Sequence, residues 1–281
     1  MNNILVPTDF SEFARYAYDA AVQFAERFGA RIHLLHVLDL PVNWSTLSDV
    51  QKAEYPIVLE RIREAEKLLG AWKKDAGDLK VETHYAGGKL KEAVGDFIGG
   101  HGVDLVIMGS HGMSGKNEYF IGSNTQKVVR TIHRPVLVVK EPVRHINFKE
   151  VVFASSFNEN ERKPFLAFKA FVKHFIPTIH LVYVDTASLF DPPYIVNKEA
   201  MEDFKALSKP FDAKVHIFKD LTVERGIRNM AQKIGAGLIG ISNHHRHPVK
   251  RMLVGSNVEA LVNHAYLPVL SIDYEEEQDA Q

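Results

Sequence analysis

A glycine-punctuated stretch from position 109 to 123 and an aspartate at position 9 are the parts of this sequence whose residue types and spacing could do chemistry. The stretch reads Gly109-Ser110-His111-Gly112 and, after Gly115 and Glu118, ends at Gly122-Ser123-Asn124, where a helix is predicted to begin. Glycine lets backbone approach a ligand closely. A helix start directs unpaired N–H groups and a partial positive charge back at its own approach loop. Together they make an anion site suited to phosphate. The run is neither a Walker A loop, since Asn117 follows Gly115-Lys116, nor Gly-x-Gly-x-x-Gly. The competing reading is a tight strand-to-helix connection in which Ser123 only caps the helix. His111 reads either as a phosphate contact or as an ordinary exposed loop histidine. Asp9 likewise has two readings. One is a helix N-cap; the other is a carboxylate accepting two hydroxyl or amine donors from a nucleoside.

The chain supplies a comparison, because it is written twice. Ile32-His33-Leu34-Leu35-His36-Val37 matches Ile179-His180-Leu181-Val182-Tyr183-Val184 at an offset of 147 residues. The opening Ile4–Glu12 matches Val151–Glu159 at the same offset. Gly122-Ser123-Asn124 matches Gly255-Ser256-Asn257, and Pro135-Val136-Leu137 matches Pro268-Val269-Leu270, at 133, so the second copy is 14 residues shorter. The loss falls between Leu38 and Lys80, and the joint lies near Glu141–Asn147. The reading is two domains, 1–143 and 147–275. In the second copy Asp9 becomes Ser156, Gly109 becomes Ser242 and Gly112 becomes His245. Ser156-Phe157-Asn158-Glu159 has the form of a capping box. The cap therefore survives while the carboxylate is lost together with two loop glycines, as expected if these features form one site in copy one. His244, His245 and His247 have the residue type for a metal, but no carboxylate or fourth ligand stands nearby, so a solvated basic loop is the simpler reading. Arg246, Lys250 and Arg251 suit an anion held by side chains.

Alternating elements must position these loops. Strands are predicted at Asn3–Val6, Arg31–Val37, Lys80–Tyr85, Asp104–Met108 and Val136–Val139, with helices at Glu12–Phe28, Asp49–Ala76, Leu90–Gly99 and Ser123–Ile132. Phe13, Tyr16, Ala20, Phe24 and Phe28 follow the helical period. Leu105–Met108 and Val136–Val139 are apolar without alternation, the pattern of parallel strands covered on both faces. Copy two repeats the order at Glu150–Ala154, Thr178–Val184, Ala213–Phe218, Leu238–Ile241 and Val269–Ile272. The fold class is α/β, two tandem doubly wound domains of five parallel strands each. In such sheets ligands bind beyond the carboxyl ends of the strands, where the strand order reverses.

Composition narrows the function classes. The chain has 281 residues, 46% hydrophobic and 25% charged, as in ordinary globular proteins. Lys+Arg 34 against Asp+Glu 35 lacks the basic excess of a nucleic-acid binder. With 0 Cys there are no disulfides, thiolate ligands or cysteine nucleophiles. The amino terminus does not read as a signal peptide and no apolar run approaches a membrane span, so a cytoplasmic protein is expected.

The spacing Gly109-x2-Gly112-x9-Gly122-Ser123 resembles the nucleotide-binding motif of ATP-binding universal stress proteins. Val6-Pro7-Thr8-Asp9-Phe10-Ser11, His36-Val37 and Pro135–Val139 are similar to that family as well, strongly in copy one and weakly in copy two. The resemblance implies a Rossmann-like sheet of order 3-2-1-4-5 and ATP, with or without Mg²⁺, in the first domain. It places Asp9 and the Val37 backbone near adenine and ribose, and Gly109, Gly112, Gly122 and Ser123 at the phosphates. Pro7, Thr8, Met108, His111 and Asn124 complete the expected binding set. It further implies pairing of the two fifth strands into a pseudo-dimer within one chain, and leaves association of two chains open. The leading function is an ATP-binding regulatory protein with one site. The alternatives are a slow ATPase or self-phosphorylating enzyme, in which Glu118 either assists Mg²⁺ or, on the simpler reading, is a surface charge, and an interaction scaffold whose second domain takes another small ligand.

Overall fold

The computed structural model describes residues 1–41, 44–111, 122–186, 194–243 and 257–273. The chain divides into two compact units, the first ending at Arg144 and the second beginning at His145. Gly112, Glu118, the 244–251 histidine and basic loop, and Gly255-Ser256 lie outside the described residues.

The first unit runs β1 (Asn3–Thr8), α1 (Glu12–Phe28), β2 (Arg31–Leu38), α2 (Asp49–Lys52), α3 (Pro56–Asp75), β3 (Val81–Gly87), α4 (Leu90–His101), β4 (Leu105–Gly109), α5 (Ser123–Thr131) and β5 (Val136–Val139). All five strands are parallel, in the order β3-β2-β1-β4-β5. The central strands are closed on both faces: Ile4, Leu5, Val6, Val106 and Ile107 have no exposed surface. Such strands read as continuous apolar runs because helices cover both sides. Helix α1 presents Ala14, Ala17, Ala21, Phe24 and Ala25 to the core. Small residues let it lie close on the sheet. It stops at Gly29, whose φ of 65° is a left-handed conformation that glycine adopts without strain.

One expected element is corrected. The segment 49–76, read as a single helix, is α2 and α3 with a break at Tyr55 (φ −116°, ψ 63°). Pro56 takes the first position of α3, where its missing N–H has no partner to lose, and its ring drives the preceding residue out of the helical region. The apolar spacing continues across the break, so periodicity alone does not reveal it.

The second unit repeats the plan: β6 (Glu150–Ala154), α6 (Arg162–Val172), β7 (Thr178–Asp185), α7 (Tyr194–Leu207), β8 (Ala213–Lys219), α8 (Val223–Ile234), β9 (Leu238–Asn243), α9 (Asn257–His264) and β10 (Val269–Asp273). Its parallel strands take the equivalent order β8-β7-β6-β9-β10. The missing residues fall between β7 and β8, where a helix of 14 residues replaces the 20-residue α3. Among the described residues no helix is long and apolar enough to cross a membrane.

Candidate functional site

In the first unit the strand order reverses between β1 and β4, and the turns leaving both strands open onto one cleft of about 900 Å³. That volume suits a nucleotide-sized ligand. Pro7, Thr8, Asp9, Val37, Met108, Gly109, His111, Gly122, Ser123 and Asn124 all line it.

The turn after β1 is held by short-range bonds. Thr8 Oγ1 accepts from the Phe10 N–H at 3.0 Å, and Asp9 Oδ1 accepts from the Ser11 N–H at 3.1 Å. Phe10 takes φ 63°, an uncommon conformation for a bulky residue. It is held there by its ring against His36, at 4.7 Å, and Trp72, at 5.7 Å. His36 Nδ1 in turn lies 2.8 Å from the Thr8 carbonyl oxygen, so it donates there and ties β2 to the turn. The helix cap is Ser11, whose Oγ accepts from the Ala14 N–H at 3.2 Å. Of the two readings of Asp9, the cap is thereby set aside: the turn at Phe10 moves the cap two residues on and leaves Asp9 at the cleft.

The opposite wall comes from β4 and α5. Gly109 ends β4 beneath the first turn of α1, where a Cβ would stand 2.6 Å from the Phe13 carbonyl carbon and oxygen. This glycine is thus required by helix packing whatever else it does. The Thr125 hydroxyl donates to the Gly109 carbonyl at 2.8 Å, and the Gly122 N–H donates to the Ser110 carbonyl at 2.8 Å. These bonds fix the amino terminus of α5 over the end of β4. Gly122 is the N-cap and provides no side-chain cap, which corrects the reading of Ser123 as the capping residue. Ser123 is instead the first residue of α5 and is exposed. Helix amides of this kind are the donors that hold phosphate. His111 is buried, its Nδ1 2.8 Å from Ser110 Oγ and its ring 5.0 Å from Phe13, and is not an exposed loop residue.

Sequence reasoning passed over the third wall. Gly88, Lys89 and Lys91 line the cleft from the β3–α4 turn, and Lys127 and Arg130 line it from α5. Four cations thus line the cleft, alongside the carboxylates of Asp39 and Glu92. They come from segments far apart in the chain, and a lysine beside a loop glycine is no signal by itself.

The second unit keeps the backbone of the first turn and fills the space beneath it. Phe157 has φ 57°, and its N–H donates to Ser155 Oγ at 2.7 Å, as Phe10 does to Thr8. The residue at the Ala14 position is Glu161, 2% exposed. Its Oε2 accepts from Ser155 Oγ at 2.6 Å, Ser156 Oγ at 2.8 Å and the Asn158 N–H at 3.4 Å. Its Oε1 accepts from Ser242 Oγ at 2.5 Å. Those three serines stand where the first unit has Thr8, Asp9 and Gly109. The capping box is Asn158 with Glu161, not Ser156 with Glu159, and the turn Glu159–Glu161 is 3₁₀. A buried carboxylate occupies the position that opens onto the cleft in the first unit, where it would repel phosphate.

Comparison with known proteins follows the same division. The family model described as the universal stress protein family matches residues 1–140 and again residues 148–272. Universal stress protein Slr1230 of Synechocystis is 26% identical over 96% of this chain and 99% of its own length. Universal stress protein MJ0577 of Methanocaldococcus jannaschii is 32% identical over 49% of this chain and 93% of its own. The crystal structure of a universal stress protein from Archaeoglobus fulgidus superposes with a TM-score of 0.74 at 22% identity, covering 97% of this chain and 98% of that one, a likeness of fold.

Proposed function

This chain belongs to the universal stress protein family, and we propose that its first half, residues 1–143, binds one ATP in the cleft between β1 and β4 while its second half, residues 147–275, does not. The observation that carries this reading is the convergence of Asp9 and the α5 amino terminus on one cleft, with Lys89, Lys91, Lys127 and Arg130 on its walls. The nucleotide itself comes from the resemblance of the glycine spacing to the ATP-binding motif. Asp9 and the Val37 backbone would take the nucleoside. Gly109, Gly112, Gly122 and Ser123 would take the phosphates, with Pro7, Thr8, Met108, His111 and Asn124 shaping the walls, and Mg²⁺ accompanying the phosphates. The role is regulatory: ATP occupancy sets the conformation that a partner reads in a stress response in the cytoplasm.

Calorimetry of the full chain with ATP tests the site. One ATP per chain is expected. Asp9→Asn, which keeps the Oδ1 acceptor for Ser11, and Gly122→Val should each abolish the heat, whereas Gly255→Val should leave it intact. Equal loss from Gly255→Val would refute the one-site assignment. Bound ATP should persist for hours; steady ADP release on that scale would favour the slow ATPase instead.

A further inference from the structure

The first unit carries a second constellation, well away from the cleft. His33 is the third residue of β2, and Val37, which lines the cleft, lies four residues further on, about 13 Å along an extended strand. His33 is 3% exposed. Its Nδ1 lies 3.2 Å from His84 Nε2 and 3.5 Å from Glu82 Oε2, and His84 Nε2 lies 3.9 Å from the same Glu82 oxygen. The register forces this meeting: β2 pairs His33 with Glu82, and Glu82 and His84, two apart, share one face of β3. These three atoms form a triangle. A cation equidistant from them sits about 2.1 Å from each, within the roughly 2.0–2.2 Å of zinc bonds to imidazole nitrogen and carboxylate oxygen.

The surroundings also have the form of a metal site. His33 Nε2 is 3.3 Å from Asn3 Oδ1, so it donates its proton there and Nδ1 is left with a lone pair towards the triangle. A ligating histidine is characteristically oriented by such a bond from its other nitrogen. Phe97 and His101, stacked at 3.8 Å, cover the pair from α4, with the Phe97 centroid 4.8 Å and the His101 centroid 5.6 Å from His84.

The second unit separates the imidazole pair from the ligand set. His180 Nδ1 lies 2.9 Å from His216 Nε2, so both units have the pair. But β7 pairs His180 with Lys214 where β2 pairs His33 with Glu82. His180 Nε2 bonds Glu150 Oε2 at 2.6 Å in place of the asparagine. An ammonium at the carboxylate's register disfavours a cation.

We propose that His33, Glu82 and His84 bind one divalent transition cation of zinc's ligand preference, with water in the fourth position, independently of the nucleotide site. Two imidazoles and one carboxylate suit such ions better than magnesium or calcium, which take oxygen ligands. The test is titration of the chelator-treated full chain with Zn²⁺ alone, read by calorimetry, and with Co²⁺, read by its visible absorption. One equivalent is expected with a tetrahedral cobalt spectrum. His84→Ala should weaken it at least about 100-fold, and Glu82→Gln, at a half-exposed side chain, about tenfold with the circular dichroism spectrum unchanged. Nucleotide should not be required. Absence of binding would overturn the proposal. So would an equivalent that survives both substitutions and is lost with His244→Ala in the second half.

Discussion

The two turns that leave β1 and β6 share one backbone but place their carboxylate differently: Asp9 lines the cleft in the first, whereas Glu161 is buried among three serines in the second. Phe10 and Phe157 take the same left-handed conformation, and each donates its N–H to the hydroxyl two residues before it. The helix that follows begins from a cap at the same register, Ser11 in one and Asn158 in the other. The difference is the side chain three residues past the cap. With Ala14, 4% exposed, the space beside Asp9 and Gly109 is left to the cleft. With Glu161, three hydroxyls turn inward onto a buried carboxylate. The shared turn is therefore a scaffold feature, and the two units differ in what fills the space under it. The glycine at the end of β4 fits the same account. It makes room for an α-helical first turn, and where that turn is 3₁₀ the equivalent residue is Ser242.

Removing the filler tests this most severely. Glu161→Ala strips the acceptor from three serine hydroxyls and one backbone N–H. It is expected to lower stability by about 3 kcal/mol, since bonds to a charged acceptor and stranded polar groups each contribute in the range of 1–3 kcal/mol. Urea unfolding measures it. A loss below about 1 kcal/mol would mean that the carboxylate is not what holds the second turn. The reciprocal change, Ala14→Glu, puts a carboxylate beside the proposed phosphate path. ATP affinity is expected to fall about 100-fold, equivalent to about 2.7 kcal/mol. Ala14→Gln, equal in size and uncharged, should cost distinctly less. Equal losses from both would make the effect one of volume alone.

Much of this is legible in the sequence. The repeat offsets, the strand cores and the bounds of α1 follow from apolar runs and spacing, because burial on both faces leaves no other pattern. Asp9 and the described ends of the 109–123 loop, Gly109, His111, Gly122 and Ser123, line one cleft, since β1 and β4 meet at the switch point. What escaped has local physical causes. The two readings of Asp9 stay open in the sequence because nothing in a phenylalanine announces the positive φ that moves the cap to Ser11. Glu161, in a run of Glu159-Asn160-Glu161, looks like a solvated helix start, and only the three serines around it reveal a buried acceptor. His33 sits in the same stretch that exposes the repeat, and His180 marks its counterpart. A histidine recurring at one register inside a buried strand was the available signal, but its partners Glu82 and His84 are set by strand pairing that the sequence does not display.

The two halves can be made alike at the histidine register. Lys214→Glu places a carboxylate beside His180 and His216 at the register Glu82 has in the first unit. A second Zn²⁺ equivalent is expected, about tenfold weaker than the first, because Glu150 already engages His180. Failure to gain it would show that two imidazoles and a carboxylate at this register are not sufficient.

The smallest effects lie in pH, and there the two units should respond with opposite sign to loss of the same register position. Burial first, and neighbouring imidazoles after it, hold His33 and His84 below the ordinary value of 6.5; burial, His180, Lys214 and Lys233 do the same to His216. A histidine lowered in the folded state takes its proton more readily when unfolded. Its contribution is complete above about pH 6.5 and is lost as the pH falls through the folded value, so the urea midpoint should be lower at pH 5.5 than at 7.5 in metal-free protein. Glu82 raises His33 and His84 against burial, while Arg31 and His101 oppose it at His33. Glu82→Gln should therefore lower both imidazoles further and deepen the loss at pH 5.5. Lys214 lowers His216, so Lys214→Gln should relieve that group and reduce the loss. Each change amounts to less than one proton of linkage, about 1.4 kcal/mol per pH unit at most. The informative quantity is its sign: parallel shifts from the two variants would mean that the carboxylate and the ammonium do not act on their imidazole pairs as their positions require.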